Sequence, residues 1–322
     1  MVSVALTAGA GGARLACRRV ISALSGFALI GAIVLTGWGV GRWGALPENA
    51  ETVLGRLVYS VLTPCLLFTV VAAADLRVLL SEPLLVSAAA ALLCFAAFAA
   101  TARRLDRGAK VVGALAAGYT NANYIGIPVA TYVLDDAALV VPIVMWQLLV
   151  VTPVALALLE IAATGRTSVR ATVTAPLRNP LIVAVVLGLL VGVTGLRMPA
   201  LLAAPVATIG SAAVPVVLIA FGMSLSGRRV LEPGTDRVAT IVAVVLKTVV
   251  MPAFAFVLAI ALGLPDDATY AVVVLAALPT AQNIFLYAQR FQTGLVLARD
   301  AIFLSTLASV PVLLLAAILF TR

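Results

Sequence analysis

Apolar residues run almost unbroken for about twenty positions at a time along this chain, and short polar stretches separate the runs. The hydrocarbon core of a bilayer is about 30 Å thick and takes roughly 20 helical residues to cross. The runs lie near residues 20–41, 57–74, 84–102, 111–134 and 139–163, then near 180–196, 201–225, 238–262, 268–288 and 296–320. This pattern predicts an all-α integral membrane protein of ten transmembrane helices.

Basic residues between the runs set the orientation. With the N-terminus outside, the inner loops hold fourteen: Arg42, Arg56, Arg103, Arg104, Arg107, Lys110, Arg166, Arg170, Arg178, Arg228, Arg229, Arg237, Arg290 and Arg299. The outer segments hold six, namely Arg14, Arg18, Arg19, Arg77, Arg197 and Arg322. Cytoplasmic loops carry the excess of Lys and Arg, so this orientation in the cytoplasmic membrane is the expected one. Arg14, Arg18 and Arg19 pull the other way, and residues 1–19 read as a tail, either without structure or an artefact of start-codon choice. The first run is too long for the apolar core of a signal peptide, and no A-x-A site follows it.

The two halves echo one another. The first run reads GAIVLTGWGVGRWGALP to Pro47 and the sixth AVVLGLLVGVTGLRMP to Pro199, 152 positions apart; Pro64 and Pro215 in the next runs are 151 apart. Five spans is an odd number, so the second repeat enters the membrane inverted. The chain thus divides into the tail 1–19, a first five-helix repeat 20–163, a short cytoplasmic linker 164–178 and a second repeat 179–322. In inverted-repeat carriers, the substrate site lies near the midplane, where matching helices are interrupted by Gly or Pro.

The fourth and ninth runs fit that description, and are expected to break and cross at mid-membrane. The fourth, AAGYTNANYIGIPVATYVL, carries Asn121, Asn123, Gly126 and Pro128 in its middle. The ninth, LAALPTAQNIFLYAQRF, carries Pro279, Gln282 and Asn283. A proline lacks an N–H and clashes with the preceding turn, and unwound backbone is tolerated at depth only when buried in protein or lining a cavity. Half-helix N-termini meeting there would favour an anionic group, oriented by the amides of Asn121 and Asn283. The competing reading makes these amides interhelical packing contacts.

Lys247 is the only lysine inside a run; a charge at that depth costs roughly 3 kcal/mol, which suggests that it neutralises an anion or stands in for a coupling cation, with snorkelling as the alternative. Gln147 is a further candidate, balanced against packing. Asp135, Asp136, Asp266 and Asp267 sit beside helix ends as capping residues, and Glu160 is interfacial. Ser305, Thr306 and Ser309 read as back-bonding to their own turn.

Composition then narrows the chemistry. The chain has 322 residues, of which 63% are hydrophobic and 11% charged, with a mean hydropathy of +1.19, and no soluble fold hides that much apolar surface. It has no histidine, which removes Ser-His-Asp triads and most zinc sites. No paired mid-membrane carboxylates or nucleophile–base sets occur, so an enzyme is not expected. Cys17, Cys65 and Cys94 lack metal-type spacing and read as packing residues, so no metal or cofactor is expected. The net charge of +8 resides in loops without interleaved aromatics, which argues against nucleic acid.

These residues together resemble the auxin efflux carrier family, which includes plant PIN-type auxin carriers and bacterial malate or malonate permease-like proteins. The resemblance spans residues 24–320. It is carried by N-A-N-Y-I-G-I-P, with Asn121 seven residues before Pro128, and by L-P-T-A-Q-N-I-F-L-Y-A at 278–288. Supporting pieces are N-P-L-I at 179–182, Lys247 with Pro252, and S-T-L at 305–307. It implies two inverted five-helix repeats, with runs 1, 2, 6 and 7 as a scaffold and the others as a transport domain. By position Asn121 matches the family's substrate-contacting asparagine, and Pro128 and Pro279 match its crossover prolines. The chain lacks the large loop between runs 5 and 6 of many plant members.

The function expected is a secondary transporter that moves small organic anions, dicarboxylates or auxin-like acids, by alternating access of an elevator kind. Its partners would be the anion, the lipid bilayer, a coupling proton or sodium ion and, as one option, a second copy of the chain. A sodium-coupled carrier of the bile-acid type and an ion channel are the alternatives.

Overall fold

The computed structural model describes residues 28–320 except 30, 45, 48, 74–81, 127–128, 131–132, 135, 166–179, 197, 227–229 and 232–234. The tail 1–19 with Cys17, the break residue Pro128 and nearly all of the expected linker lie outside the described residues. Among those described the chain is helical, with no β-strand. In order the helices are residues 31–43 (α1), Ala50–Ala73 (α2), Glu82–Thr101 (α3), Arg107–Gly118 (α4), Val141–Thr164 (α5), Pro180–Thr194 (α6), Ala200–Leu225 (α7), Asp236–Ala261 (α8), Asp266–Ala277 (α9), Asn283–Phe291 (α10) and Leu295–Leu319 (α11).

Six of these helices, α2, α3, α5, α7, α8 and α11, are long and apolar enough to cross a membrane. Their outward faces carry large apolar side chains: Leu201 is 84% exposed and Val238 69%, a surface suited to lipid and not to water. The chain is a multi-pass membrane protein. Helix α2 starts seven residues before the apolar run that marks it, because its first two turns, AETVLGRL, are amphipathic and include Glu51 and Arg56.

Three of the long helices contain a wide π-turn, at Val58–Leu62, Gln147–Val151 and Leu246–Val250. Each is followed at the second position by a proline: Pro64, Pro153 and Pro252. A proline ring collides with the carbonyl four residues back and offers it no N–H. Those carbonyls belong to Ser60, Leu149 and Thr248, all inside the π-turns, where the extra residue widens the coil and lets the helix continue.

The helices pack in two groups. In one, α2 lies against α6 and α7, and α1 against α7. Gly37 and Gly222 let α1 and α7 touch backbone to backbone: a methyl on Gly37 would collide with the Ile219 carbonyl, and one on Gly222 with the Val34 carbonyl. In the other, α4 packs on α3, α5 and α8, while α8 and α9 pack on each other and on α3 and α11. The buried core lies mainly in this second group, around Phe98, Tyr119, Leu275, Leu278 and Tyr287.

Arg299, counted with the inner-loop charges although it falls at the start of the last run, is 3% exposed in the second turn of α11. Its Nε and Nη2 each lie 2.7 Å from Asp300 Oδ1, and Asp300 Oδ2 accepts from the Leu231 amide at 2.9 Å. The pair pins the turn after α7, where Leu231 has a positive φ of 56°, onto α11. Cys94 is buried as expected, whereas Cys65 is half-buried. Asp266 and Asp267 occupy the first turn of α9, where negative charge suits the helix dipole, without a side-chain cap at the preceding Pro265.

Candidate functional site

Two helices stop short inside the second group. Helix α4 ends at Gly118, and a π-turn at Ala122–Gly126 follows after three residues; α9 ends at Ala277, and α10 begins at Asn283. Leu278 precedes Pro279 and is extended, with ψ of 149°, as the proline ring requires of its neighbour. The two interruptions meet. Thr120 and Thr280 form an antiparallel bridge: the Asn121 amide donates to the Pro279 carbonyl at 2.8 Å and the Ala281 amide to the Tyr119 carbonyl at 3.0 Å. The unwound backbone satisfies itself across the crossing, the condition for irregular chain away from water.

Side chains also secure the crossing. Thr280 Oγ1 donates to the Ala116 carbonyl at 2.7 Å, near the open C-terminal end of α4, and the Thr280 amide donates to Ser305 Oγ at 3.0 Å. Lys247, 0% exposed, donates from Nζ to the Ala276 carbonyl at 2.7 Å, at the C-terminal end of α9. A helix C-terminus carries about half a negative charge, so an ammonium there is well placed. Tyr119, Thr152 and Tyr287 join their hydroxyls in a chain, at 3.0 and 3.3 Å, that ties α5 and α10 to the crossing. Gly126 lets its turn close on the crossing, since a methyl there would meet Val140 and Leu278 side chains at 2.9 and 3.2 Å.

At the bridge, Tyr119, Thr120, Asn121, Val144, Gln147, Leu148, Ala281 and Asn283 line one small cavity. Its space of about 10 Å³ holds roughly one water, against about 300 Å³ for the smaller ligand pockets. Of the residues expected at the site, Asn121, Gln147 and Asn283 converge there, all nearly fully buried. Gln282 is buried beside them, and its Oε1 has no hydrogen-bond partner among the described residues. Lys247 does not line this cavity, and the side chain of Asn123 lies outside the described residues. Pro279 supplies the carbonyl that Asn121 needs. Among the described residues no group of three or more acidic or thiol side chains could hold a metal ion.

The roles of Thr120, Thr280 and Ser305 were not visible in the sequence. Ser305, Thr306 and Ser309 back-bond to Ile302, Ile302 and Thr306 as expected, but Ser305 also receives the Thr280 amide from across the fold. The available signal was the threonine one residue before Asn121 and one after Pro279, at the point where each helix stops.

One expected outcome follows for Lys247. Lys247→Met leaves the Ala276 carbonyl buried without its donor, and is expected to lower stability by about 1–3 kcal/mol, read as the thermal unfolding midpoint in detergent.

The model of a family described as membrane transport proteins, that of the auxin efflux carriers, matches residues 27–317. It is a family of transporters and not of enzymes. No curated protein matches the chain. With the match running through nearly every described helix and both interruptions, the chain belongs to the auxin efflux carrier family of membrane transport proteins.

Proposed function

We propose that the protein is a secondary transporter for small organic anions, dicarboxylates or auxin-like acids, in the cytoplasmic membrane, and that Asn121, Gln147 and Asn283 bind the substrate. The observation that carries this reading is the convergence of three buried amides on one cavity at the crossing of two interrupted helices. Amides donate to a carboxylate without adding a fixed charge to the membrane interior. Asn283 opens α10, so the positive end of that helix borders the same space. Lys247 contributes indirectly, by holding the negative end of α9.

The ten runs form two inverted five-helix repeats, 20–163 and 179–322. An antiparallel bridge has a local twofold axis through its centre, and the matched threonines at this one support the inversion. The helix groups support a scaffold of α1, α2, α6 and α7 against a transport domain built from the rest. The cavity holds about one water, so loading requires the two groups to shift, as elevator-type alternating access provides.

Purified protein in liposomes is expected to take up labelled dicarboxylates or indole-type acids, at a rate indifferent to a sodium gradient. Uptake that needs sodium would favour the bile-acid-type alternative. Currents far above carrier turnover would mark a channel instead.

A further inference from the structure

The turn between α3 and α4 and the first turn of α4 carry four basic residues within eight positions, Arg103 and Arg104 in the turn and Arg107 and Lys110 on the helix. None forms an ion pair among the described residues. The one acid among them, Asp106, is otherwise engaged: its Oδ1 caps α4 by accepting from the Ala109 amide at 2.9 Å and takes the Thr293 hydroxyl at 3.4 Å. Arg103 spends Nε on the Ala100 carbonyl at 3.3 Å. Arg104 makes no hydrogen bond among the described residues.

Beside these two arginines a groove of about 520 Å³ opens between the end of α3 and the first turns of α8. Phe98, Leu105, Val238, Ala239 and Val242 make its walls apolar, while Arg103 and Arg104 stand at the turn where α3 ends. A hydrophilic anion would gain nothing from those walls, and an uncharged hydrocarbon nothing from the guanidiniums. We propose that this groove binds an anionic phospholipid, its phosphate on Arg103 and Arg104 and one acyl chain along Phe98, Val238 and Val242. Basic pockets between membrane helices at the charged interface recognise lipid head groups in this way, and guanidinium forks suit phosphate.

The position gives the lipid leverage. Helix α4 runs twelve residues, about 18 Å, from this turn to the crossing, and α8 carries Lys247. A lipid seated in the groove braces the α3–α4 turn against α8, joining two helices that hold the crossing.

The whole chain in a neutral detergent is titrated with phosphatidylglycerol and with phosphatidylcholine of the same acyl chains, following lipid-bound species by native mass spectrometry and the thermal midpoint. Phosphatidylglycerol is expected to bind at least tenfold more tightly. The double variant Arg103→Gln/Arg104→Gln is expected to weaken it roughly tenfold to thirtyfold. Lys110→Gln, which alters the separate groove between α3, α4 and α5, is expected to leave it unchanged. Equal binding of the two lipids, undiminished binding by the double variant, or equal loss in Lys110→Gln would overturn the proposal. So would competition by free glycerol phosphate at the lipid's own concentration, which would mark a simple phosphate site. If the double variant does not fold, the wild-type protein decides: in 0.5 M salt the preference for phosphatidylglycerol must shrink severalfold, and a preference unmoved by salt sinks the idea.

Discussion

Asn121→Ala is expected to cut organic-anion uptake by proteoliposomes by about tenfold to a hundredfold, the consequence of removing one hydrogen bond to a charged group. The fold should survive, because the main-chain bonds that Asn121 gives the crossing remain. Its amide donates to the Pro279 carbonyl and its own carbonyl accepts from the Gly126 amide at 2.9 Å, and alanine keeps both. The measurement is therefore paired: initial uptake rates against the thermal midpoint of the same preparation. Wild-type uptake in a well-folded variant would remove Asn121 from the substrate site. A collapsed midpoint would instead assign it to packing.

A second large effect is expected at residues that do not line the cavity. Asp300→Ala leaves the buried Arg299 guanidinium without its carboxylate and the Leu231 amide without its acceptor. Breaking a buried pair from one side costs about 3–5 kcal/mol, so the variant should unfold at a markedly lower temperature. The double replacement Arg299→Met/Asp300→Leu should regain the part of the loss due to the unpaired guanidinium, because two apolar side chains have no charge left to desolvate, while the Leu231 amide still lacks its acceptor. A single variant as stable as the parent would show that the pair is not dry.

The contrast between these two residues explains what could be read in advance. Interrupted helices announce themselves, since Asn121 and Pro279 are costly in a continuous apolar span and so stand out from their neighbours. The long uninterrupted runs were legible for the same reason, and α3, α5, α7, α8 and α11 begin and end within about two residues of them. Arg299 lay inside the last run yet was counted with the inner-loop charges, because hydropathy registers a charge but not its partner. Thr280 and Ser305 escaped notice because hydroxyls in membrane helices usually bond to their own turn, and only the fold brings residue 280 to residues 116 and 305. Lys247 was legible as unusual, but its position at the end of α9 depends on a contact between two helices.

The bridge at Thr120 and Thr280 joins peptide groups, and every residue except proline brings the same ones. Substitution can therefore rewrite the side chains around the cavity while the two bridged segments that present them stay in register. The frame of the crossing and the lining of its cavity can thus change independently of one another.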